Sequence, residues 1–390
     1  MTERYDLVIV GAGIHGAGVA QAAAAAGHRV LVLEQSDIAA WTSSRSSKLI
    51  HGGLRYLETG QFGLVREALR ERALLLRLAP TLVQLKRFHI PVYGDTHRSA
   101  AWIRLGLAAY SVLSGFHAAG RFRALPRAQW PELDGLDTAG LRTVFEYRDA
   151  QTDDRALTRA VMHSAMSLGA ELAMPARFVA AELTTDGCVI DYRRNGEQRS
   201  AAAPVLINAA GAWVNRVLEC IRPAVTELSV ELVQGAHLIV DGRLARGVYY
   251  LEAPDRRAVF AMPWHDRILL GTTETPFSGD PAAVAPLPEE RRYLLDTLAR
   301  YFPRYRDSAA VNVSDAFAGL RVLPAGPQAA FRRSRETVLH ADRADRLRVL
   351  SIYGGKLTTY RVTAAKVMRQ IRSRLPERKR RALTGQLPLS

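Results

Sequence analysis

The sequence predicts an α/β fold in which a nucleotide-binding domain is interleaved with a second, strand-rich domain. Two observations support this prediction. A strand, a glycine-rich turn, a helix and a second strand follow one another between residues 5 and 34. Further along, segments of the same kind alternate with a stretch of strands and loops over residues 230–275. This alternation predicts that the nucleotide-binding domain is assembled from three separated pieces of chain.

The first unit has the glycine spacing of a dinucleotide-binding motif. A β-branched apolar run over residues 5–10 leads into Gly11, Gly13 and Gly16, which stand in the order G-x-G-x-x-G. The first glycine permits the tight turn, the second lets a pyrophosphate approach the backbone, and the third lets the following helix pack close to the strand. The pyrophosphate then lies at the N-terminus of that helix.

The rest of the unit supplies a partner for the nucleotide ribose. An alanine-rich helix is predicted over residues 18–26, and a second buried strand over residues 30–33 finishes at Glu34. An acidic residue at this distance accepts hydrogen bonds from the ribose hydroxyls. The glycines alone also fit a plain glycine-rich turn, but the ordered strand, helix, strand and acid favour a dinucleotide site.

Composition limits the class of protein. The 390 residues are 48% hydrophobic and 23% charged, which is typical of a globular chain with a large core and predicts two domains. Cys188 and Cys220 have neither metal-ligand spacing nor the arrangement of a disulfide framework, so we expect no metal site and a reducing compartment. The chain reaches its first strand almost at once, without a secretory-signal pattern, which predicts a cytoplasmic location.

The positive charge of the chain predicts an anionic partner. Lys and Arg number 53 against 38 acidic residues, a net charge of +15, which fits nucleic acid, an anionic membrane surface or an anionic substrate. No basic helix or aromatic-interleaved patch indicates nucleic acid, so we expect none. The densest basic run, residues 378–381 in a tail over 373–390, fits either a solvated helix end or peripheral contact with the inner face of the cytoplasmic membrane. The apolar segment 99–116 is interrupted by Arg104 and is too short to span a bilayer.

Four further elements are predicted from residue periodicity. Apolar residues recur at helical spacing over residues 62–79, and residues 153–168 also have the pattern of a helix. A short buried strand over residues 205–208 runs into small residues, which let a backbone pass close to a cofactor. Residues 259–273 are predicted to form a hairpin within the strand-rich region.

Three later segments combine glycine with cations or hydroxyl groups. Residues 42–58 hold several serines, a double glycine and an arginine. Residues 319–321 end at Arg321, and residues 354–359 place Lys356 between two glycines and two threonines. A single cation of this kind is more often a surface charge. Three cations at glycine-flanked positions favour a site for an anion.

These motifs resemble those of the FAD-dependent glycerol-3-phosphate dehydrogenase family, within the flavin amine-oxidase-like superfamily. The resemblance lies in the blocks SSKLIHGGLRYLE, NAAGAW, GAHLIV, GTTE, GLRVLP and YGGKLTTYR, which occur in order between residues 5 and 367. It implies a Rossmann-like FAD-binding domain interleaved with an antiparallel-sheet cap, an α/β fold with an α+β cap. It also implies FAD as cofactor, oxidation of sn-glycerol 3-phosphate to dihydroxyacetone phosphate, and quinone as electron acceptor.

Domain boundaries follow from the same resemblance. The FAD-binding domain is expected over residues 1–88, 153–225 and 316–372. The substrate-binding cap is expected over residues 89–152 and 226–315. The resemblance leaves the oligomeric state open.

The resemblance also implies how the substrate is held. Arg55, Arg321 and Lys356 would bind the substrate phosphate, because guanidinium forks suit a phosphate dianion and lysine adds a compact charge. Four further residues would assist them: Tyr56, Thr272, Thr273 and Arg335.

A histidine and an arginine are the expected catalytic pair. His237 matches the active-site histidine of the family and would accept the C2 hydroxyl proton while hydride leaves C2 for flavin N5, beside Arg321. Taken alone, a histidine on an apolar strand is also compatible with a satisfied core residue. Glu274 is the alternative base.

The residues expected around FAD come from the glycine motif, the ribose acid, the serine-rich loop and the later glycine blocks. Two of them, Arg321 and Lys356, are expected at both cofactor and substrate. The full set is Gly11, Gly13, Ile14, Gly16, Glu34, Gln35, Thr42, Ser43, Ser44, Ser47, Lys48, Leu49, His51, Gly52, Gly53, Ala210, Gly211, Trp213, Gly319, Arg321, Gly355, Lys356, Leu357 and Thr358.

The sequence departs from the family pattern at three places. Glu274 stands where the family has aspartate, and Arg45 interrupts a serine-rich loop that normally holds a small residue. The family usually continues into a helical C-terminal domain, whereas this sequence ends at Ser390, which leaves the membrane footprint and the acceptor open. Two alternatives therefore stand: an oxygen-dependent oxidase of a related phosphorylated or carboxylated polyol, an amine or an amino acid, and a flavin-binding module that acts as a partner or sensor.

Overall fold

The computed structural model describes residues 2–115, 120–307, 310–325 and 337–390, apart from the side chain of Arg55. Within these residues the α-helices are α1 (Ile14–Ala25), α2 (Arg55–Glu58), α3 (Phe62–Leu78), α4 (Ala100–Leu113), α5 (Asp154–Ser167), α6 (Val214–Glu219), α7 (Pro288–Tyr301) and α8 (Tyr360–Ile371). The strands are β1 (Glu3–Arg4), β2 (Leu7–Val10), β3 (Val30–Leu33), β4 (Leu49–Ile50), β5 (Val83–Tyr93), β6 (Arg123–Ala124), β7 (Leu141–Thr152), β8 (Glu171–Ala173), β9 (Ala176–Leu183), β10 (Cys188–Arg194), β11 (Glu197–Ala203), β12 (Leu206–Asn208), β13 (Ile221–Arg222), β14 (Val230–Asp241), β15 (Val248–Glu252), β16 (Ala258–Trp264), β17 (Arg267–Gly271), β18 (Thr275–Phe277), β19 (Val313–Pro324), β20 (Val338–Ala341) and β21 (Val349–Tyr353).

A six-stranded sheet forms the nucleotide-binding layer, with the order β20-β21-β12-β2-β3-β8. Its neighbours are parallel except for the antiparallel pair β20 and β21. Strands β2 and β3 are runs of Val, Leu and Ile in which every residue is buried. Parallel strands covered on both faces require such continuous apolar runs.

Helix α1 packs against this sheet between α5 and α8. Its glycines permit the close approach. A Cβ at Gly16 would lie 1.8 Å from the carbonyl oxygen of Gly11, and a Cβ at Gly18 would lie 2.7 Å from the ring of Tyr360 on α8. Substitution at either position would push α1 away from its neighbours.

A ten-stranded sheet forms the second layer. Its main path runs β18-β14-β17-β16-β15-β5-β7-β4, with β19 paired to β14 and β6 paired to β7. All pairs are antiparallel except β15 with β5. A third, five-stranded sheet has the order β1-β11-β10-β9-β13. The α/β class with a mainly antiparallel second layer is therefore as predicted.

The elements predicted from local patterns are confirmed within one or two residues, except that α1 begins at Ile14, four residues before the predicted start at residue 18. The helices predicted over 62–79 and 153–168 are α3 and α5, and the strand predicted over 205–208 is β12. The predicted hairpin is β16 and β17, and its second strand ends at Gly271. Helix α5 begins after Asp153, whose side chain accepts a hydrogen bond from the Ala156 amide, a cap that fixes this end.

The basic tail is not a solvated helix end. Helix α8 ends at Ile371, and residues 378–381 have no helical structure. Arg378 donates to both carboxylate oxygens of Asp6, at 3.0 and 2.9 Å. The Arg381 amide donates to the Ala25 carbonyl at the end of α1, and Leu389 is buried. The tail therefore lies along the nucleotide-binding domain.

Helix α4 has an exposed apolar face. Trp102, Leu105 and Val112 are each more than half exposed, and Phe62 on the neighbouring α3 is equally exposed. Helix α4 has 14 residues, and among the described residues no helix is long and apolar enough to cross a membrane.

Candidate functional site

A cavity of about 690 Å³ lies where the six-stranded and ten-stranded sheets meet. It is lined by the carboxyl ends of β2, β3 and β12 and by residues of β14 and β19, so both layers contribute to it. The structure brings these predicted residues to its wall: Gly11, Gly13, Ile14, Glu34, Gln35, Thr42, Ser43, Ser47, Leu49, His51, Tyr56, Ala210, Gly211, Trp213, His237, Gly319, Arg321, Gly355, Lys356, Leu357 and Thr358.

Other predicted residues do not line this cavity. Arg335 and the side chain of Arg55 fall outside the described residues. The structure places the following residues behind the wall: Gly16, Ser44, Lys48, Gly52, Gly53, Thr272 and Thr273.

Glu34 is placed to accept a ribose hydroxyl. Its carboxylate is buried and accepts from the Ala12 amide at 2.9 Å and from the Ser36 amide and hydroxyl at 2.9 and 3.1 Å. A carboxylate has about four acceptor positions, so three are used within the protein. Glu34 also lines the cavity, so one acceptor position is left for a ligand.

The start of α1 has the geometry of an anion site. Gly11 has φ of +102°, and a Cβ there would lie 2.7 Å from the Ala209 carbonyl oxygen. Gly13 forms the helix N-cap, and the Ile14 amide donates to the Ser43 hydroxyl at 2.9 Å. The helix has no acidic residue in its first turn, so its positive end is free to attract a phosphate.

The serine-rich loop is fixed from behind by a buried ion pair. Lys48 has a left-handed backbone, and its Nζ lies 2.5 Å from both Asp154 Oδ1 and the Ser44 carbonyl oxygen. The other oxygen of Asp154 accepts from the Ser46 amide at 2.9 Å and hydroxyl at 2.7 Å. Burial raises the pKa of the Asp154 carboxyl, while Lys48 and Ser46 oppose that rise. Lys48 therefore supports the loop.

The double glycine is supported in a similar way. The Gly52 amide donates to the Tyr110 hydroxyl at 2.8 Å, and this hydroxyl donates to Asp149 at 2.6 Å. Asp149 also pairs with Arg72 at 2.7 Å, with both side chains buried. Gly52 thus connects the cavity loop to α3, α4 and β7, although neither Gly52 nor Gly53 lines the cavity.

His237 faces the cavity from β14. Its Nε2 lies 3.0 Å from the Ser47 hydroxyl, and its ring stacks on Phe317 with centroids 5.0 Å apart. A Cβ at Gly271, its cross-strand neighbour, would lie 2.2 Å from the ring, so this position must be glycine. Burial lowers the pKa of His237 to about 3, and the charges of Arg321 and Lys48 add to the effect. The imidazole is neutral.

Arg321 lies on β19, on the same face as His237. Glycine at position 235 makes room for it, since a Cβ there would lie 3.0 Å from Arg321 Nη2 and 2.6 Å from the Thr272 hydroxyl. Arg321 Nη1 donates to Glu274 Oε1 at 3.2 Å, and Nη2 lies 3.4 Å from the Thr272 hydroxyl. Glu274 does not line the cavity and acts here as a counterion.

Lys356 approaches the same region from the loop after β21. Its Nζ lies 3.7 Å from the centroid of the Tyr56 ring, within the range of a cation–π contact. A Cβ at Gly355, which has φ of +107°, would lie 2.0 Å from His15 Nε2. Both lysine and ring line the cavity.

Thr273 supports this region from outside the cavity. Its hydroxyl donates to Glu290 at 2.6 Å and accepts from the Ala236 amide at 2.8 Å. Glu290 is buried and also accepts from Thr275 and Gln234. The Thr273 hydroxyl is thus used to hold β14 and the loop before β18.

The sequence analysis did not select several residues of the wall. They include His15, Trp41, Arg45, Arg177 and Arg216. Burial lowers the pKa of His15 to about 4, and Arg45 lies over the Trp41 ring at 5.1 Å. The position of His15 inside the glycine motif could have identified it as a wall residue. Arg177 and Arg216 lie on β9 and α6, and no local motif connects these elements to the cavity.

The cavity fits an extended dinucleotide cofactor. One end has a buried acid beside the glycine turn of α1, and the other has cations and a histidine on the ten-stranded sheet. Glycines keep the intervening wall clear: a Cβ at Gly13 would lie 3.0 Å from the Ser43 hydroxyl, and one at Gly319 would lie 2.6 Å from the Arg45 carbonyl oxygen. A residue with a side chain could not replace either glycine without displacing the wall.

Comparison with known proteins gives consistent results. The chain is 39% identical over 381 residues to a glycerol-3-phosphate dehydrogenase of Pseudomonas aeruginosa, covering 95% of this chain and 72% of that one. It is 35% identical over 387 residues to a D-erythritol 1-phosphate dehydrogenase of Brucella abortus, covering 96% and 75%.

Solved structures share the fold. The crystal structure of a glycerol-3-phosphate dehydrogenase from Bacillus halodurans complexed with FAD has a TM-score of 0.78 at 26% identity, covering 99% of this chain and 68% of that one. A glycine oxidase from Geobacillus kaustophilus has a TM-score of 0.72 at 20% identity, covering 100% and 99%. The family model described as FAD dependent oxidoreductase matches residues 6–361. The chain therefore belongs to the FAD-dependent oxidoreductase family, and its cofactor is FAD.

Proposed function

We propose that this protein oxidises sn-glycerol 3-phosphate to dihydroxyacetone phosphate. The observation that carries the proposal is that Arg321, Lys356 and His237 line one cavity with the dinucleotide site. Two cations suited to a phosphate and an imidazole suited to a hydroxyl proton therefore face the same space. The related glycerol-3-phosphate dehydrogenase of Pseudomonas aeruginosa supports this choice of substrate.

Different residues of the chain bind the substrate phosphate and accept the hydroxyl proton. FAD, when bound, supplies the acceptor for the hydride from C2. Arg321 and Lys356 hold the phosphate, joined by Arg55 from the start of α2. His237 receives the hydroxyl proton in a site that is shielded from water by Phe317 and the serine-rich loop. Burial is the main reason that His237 is neutral, and substrate phosphate beside Arg321 offsets the further repulsion from that cation.

Anaerobic flavin bleaching tests the substrate. We expect rapid loss of the flavin absorbance with sn-glycerol 3-phosphate and little with glycerol or glycine. D-erythritol 1-phosphate belongs in the panel because the chain is 35% identical to a dehydrogenase of that compound. Faster bleaching by D-erythritol 1-phosphate than by sn-glycerol 3-phosphate would identify the longer compound as the substrate. Equal bleaching by glycerol and its phosphate would contradict a phosphate site.

The electron acceptor is proposed to be quinone at an anionic membrane surface. The exposed apolar face of α3 and α4 supports this, with Phe62, Trp102 and Leu105 around a second, mostly apolar cavity of about 320 Å³. Exposed Arg66 on α3 and Arg104 on α4 flank these residues. Apolar side chains beside cations suit the interface of an anionic bilayer. The tail is less suited, since Arg378 is paired within the protein.

Liposome binding tests this second part of the proposal. Binding to vesicles that contain anionic lipid should weaken in the double variant Trp102→Ser/Leu105→Ser and fall with added salt, because charges are screened within about 10 Å at 0.1 M. Reduced flavin should pass electrons to a water-soluble quinone analogue faster than to oxygen. Stoichiometric hydrogen peroxide without liposome binding at low salt would favour an oxygen-dependent oxidase.

A further inference from the structure

A hydroxyl group of the cavity wall lies within hydrogen-bond distance of the histidine. Ser47 Oγ lies 3.0 Å from His237 Nε2, and both residues line the cavity. Other residues enclose the rest of the ring. Phe317 stacks against its face, and Gly271 lies so close to its edge that a Cβ would not fit between them. His237 is only 2% exposed. The Ser47 hydroxyl is therefore the polar group of the cavity wall that lies within hydrogen-bond distance of Nε2.

The charges around His237 disfavour a stable imidazolium. Burial is the largest cause of the lowered pKa of His237, and the positive charges of Arg321 on β19 and Lys48 behind the serine-rich loop lower it further. A contact with the backbone of Gly235, two residues along β14, acts in the opposite direction. Nδ1 has no hydrogen-bond partner among the described residues, and Nε2 lies 3.0 Å from Ser47 Oγ. The relay requires the proton of the neutral ring on Nδ1, which leaves Nε2 as an acceptor toward Ser47. The ring can thus receive a proton at Nε2 when the negative phosphate offsets the cations.

Ser47 is held firmly enough to act in this position. The preceding residue, Ser46, donates its amide and hydroxyl to Asp154, and the following residue, Lys48, pairs with the other oxygen of Asp154. The Lys48 carbonyl oxygen also accepts from the Thr152 amide at 2.8 Å. Both neighbours of Ser47 are therefore fixed to the N-terminus of α5, and only its side chain is directed at His237.

We propose that Ser47 relays the substrate proton to His237, a role distinct from the cofactor contact that the sequence suggests. The substrate hydroxyl gives its proton to Ser47 Oγ, and Ser47 gives its own proton to His237 Nε2. The C2–H bond breaks at the same time, and FAD, when bound, would be the acceptor that takes up its electron pair with the hydrogen as hydride. The alcohol thus loses two electrons and two hydrogens and becomes a ketone. This inference rests on the proposed function.

Substrate-driven reduction of the holoenzyme tests the relay. Ser47→Ala should lower the limiting rate of flavin reduction by about 10²-fold, as for loss of acid–base assistance, with little change in the substrate concentration at half-maximal rate. Ser47→Thr, which keeps the hydroxyl, should restore most of the rate. Ser314→Ala, an exposed serine on β19, is the matched control. In mixtures of light and heavy water, two protons in flight should give a curved dependence for the wild type and a linear one for Ser47→Ala.

A measurement without turnover separates this inference from the proposed function. In protein labelled with ¹⁵N-histidine, the His237 Nε2 signal, identified by its loss in His237→Asn, should be that of an unprotonated nitrogen and should shift in Ser47→Ala. Wild-type rates in Ser47→Ala, equal losses in the alanine and threonine variants, or an unchanged Nε2 signal would overturn the relay. Failure of every polyol phosphate to reduce the wild-type flavin would instead overturn the proposed function.

Discussion

Arg321, on the wall of the cavity, forms an ion pair with Glu274 behind it, with Nη1 and Oε1 3.2 Å apart. The Glu274 side chain is only 9% exposed, so solvent screens this pair weakly. Its carboxylate orients the guanidinium and removes part of its positive charge from the site. Glu274 therefore sets how strongly Arg321 attracts an anion.

Replacing this carboxylate should tighten anion binding. In Glu274→Gln we expect inorganic phosphate to bind about tenfold more tightly, because a unit charge several ångströms away is worth about 1–2 kcal/mol in a protein environment. Titration of the flavin absorbance with phosphate measures the effect. Glu289→Gln, on the exposed start of α7, should leave binding unchanged. Weaker binding in Glu274→Gln would show that orientation of Arg321 outweighs charge.

Removal of either cavity cation should weaken substrate binding. Hydrogen bonds to charged groups are worth about 1.5–3 kcal/mol, so Arg321→Ala and Lys356→Ala should each raise the KM for glycerol 3-phosphate at least about tenfold. Steady-state kinetics with an artificial acceptor provide the measurement, with Arg346→Ala at an exposed pair as control. An unchanged KM in both variants would place the phosphate elsewhere.

Loss of the ribose acid should weaken cofactor retention. Glu34→Ala removes the acceptor of the Ala12 and Ser36 amides as well as the carboxylate that faces the cavity. We expect the FAD content per chain to fall after extensive dialysis, while Glu182→Ala, exposed on β9, keeps its full content. Absorbance at 280 and 450 nm gives the ratio. Full retention by Glu34→Ala would assign cofactor affinity to the backbone contacts.

Breaking the buried pair behind the serine-rich loop should cost stability. In Asp154→Asn the Lys48 ammonium is left buried without its counterion, which costs about 3–5 kcal/mol in comparable cases. Urea unfolding of the variant measures this loss. The double variant Lys48→Met/Asp154→Asn should be more stable than Asp154→Asn, because no unpaired charge remains. The exposed Arg199 pairs with Glu197 on the surface, and Arg199→Met should not change the midpoint measurably.

Two buried histidines should make the protein sensitive to mild acid. The pKa values of His15 and His237 are lowered to about 4 and about 3, chiefly by burial. Both are neutral in the folded and unfolded states above pH 6.5, so their contribution is fully present there. Below pH 6.5 the unfolded chain takes up protons that the folded chain does not, and stability falls until the folded pKa values are reached.

The size of this effect can be measured by variants. Each group contributes a slope of up to about 1.4 kcal/mol per pH unit between its two pKa values. Chemical unfolding at pH 7 and pH 5 should show a smaller loss for His237→Asn than for the wild type. His163→Asn, at an exposed position on α5, should behave like the wild type. Equal losses in all three proteins would show that other groups control acid stability.

Local patterns predicted the parts of the site that lie close together in sequence. The turn at Gly11 and the position of Glu34 after the next strand were predicted correctly because strand periodicity extends over a few residues. The helix between them was predicted correctly at its end but begins at Ile14, four residues before the predicted start. The chemistry of the later glycine blocks was recognised through resemblance. The FAD-dependent class and the α/β fold could therefore be predicted before the structure was known.

Contacts between distant segments could not be predicted in this way. Lys48 carries a charge in a loop of serines, and only the arrival of Asp154 from the start of α5 shows that this charge is neutralised behind the cavity. The tail likewise looked free for lipid contact, but Arg378 meets Asp6 from the other end of the chain. Such pairings depend on how sheets assemble, which no local periodicity encodes.

Strand β12 has a consequence for the order in which the protein folds. It lies at the centre of the nucleotide-binding sheet, where Leu206 is in register with Val8 on one side and Val349 on the other. Pairings so distant in sequence close slowly because a long loop must be ordered first. Strands β16 and β17 are adjacent in sequence, so their hairpin can form without the ordering of a long loop. We therefore expect this hairpin to form early in refolding and the cofactor site to be completed last, with the return of bound-flavin fluorescence lagging behind the first recovery of strand structure.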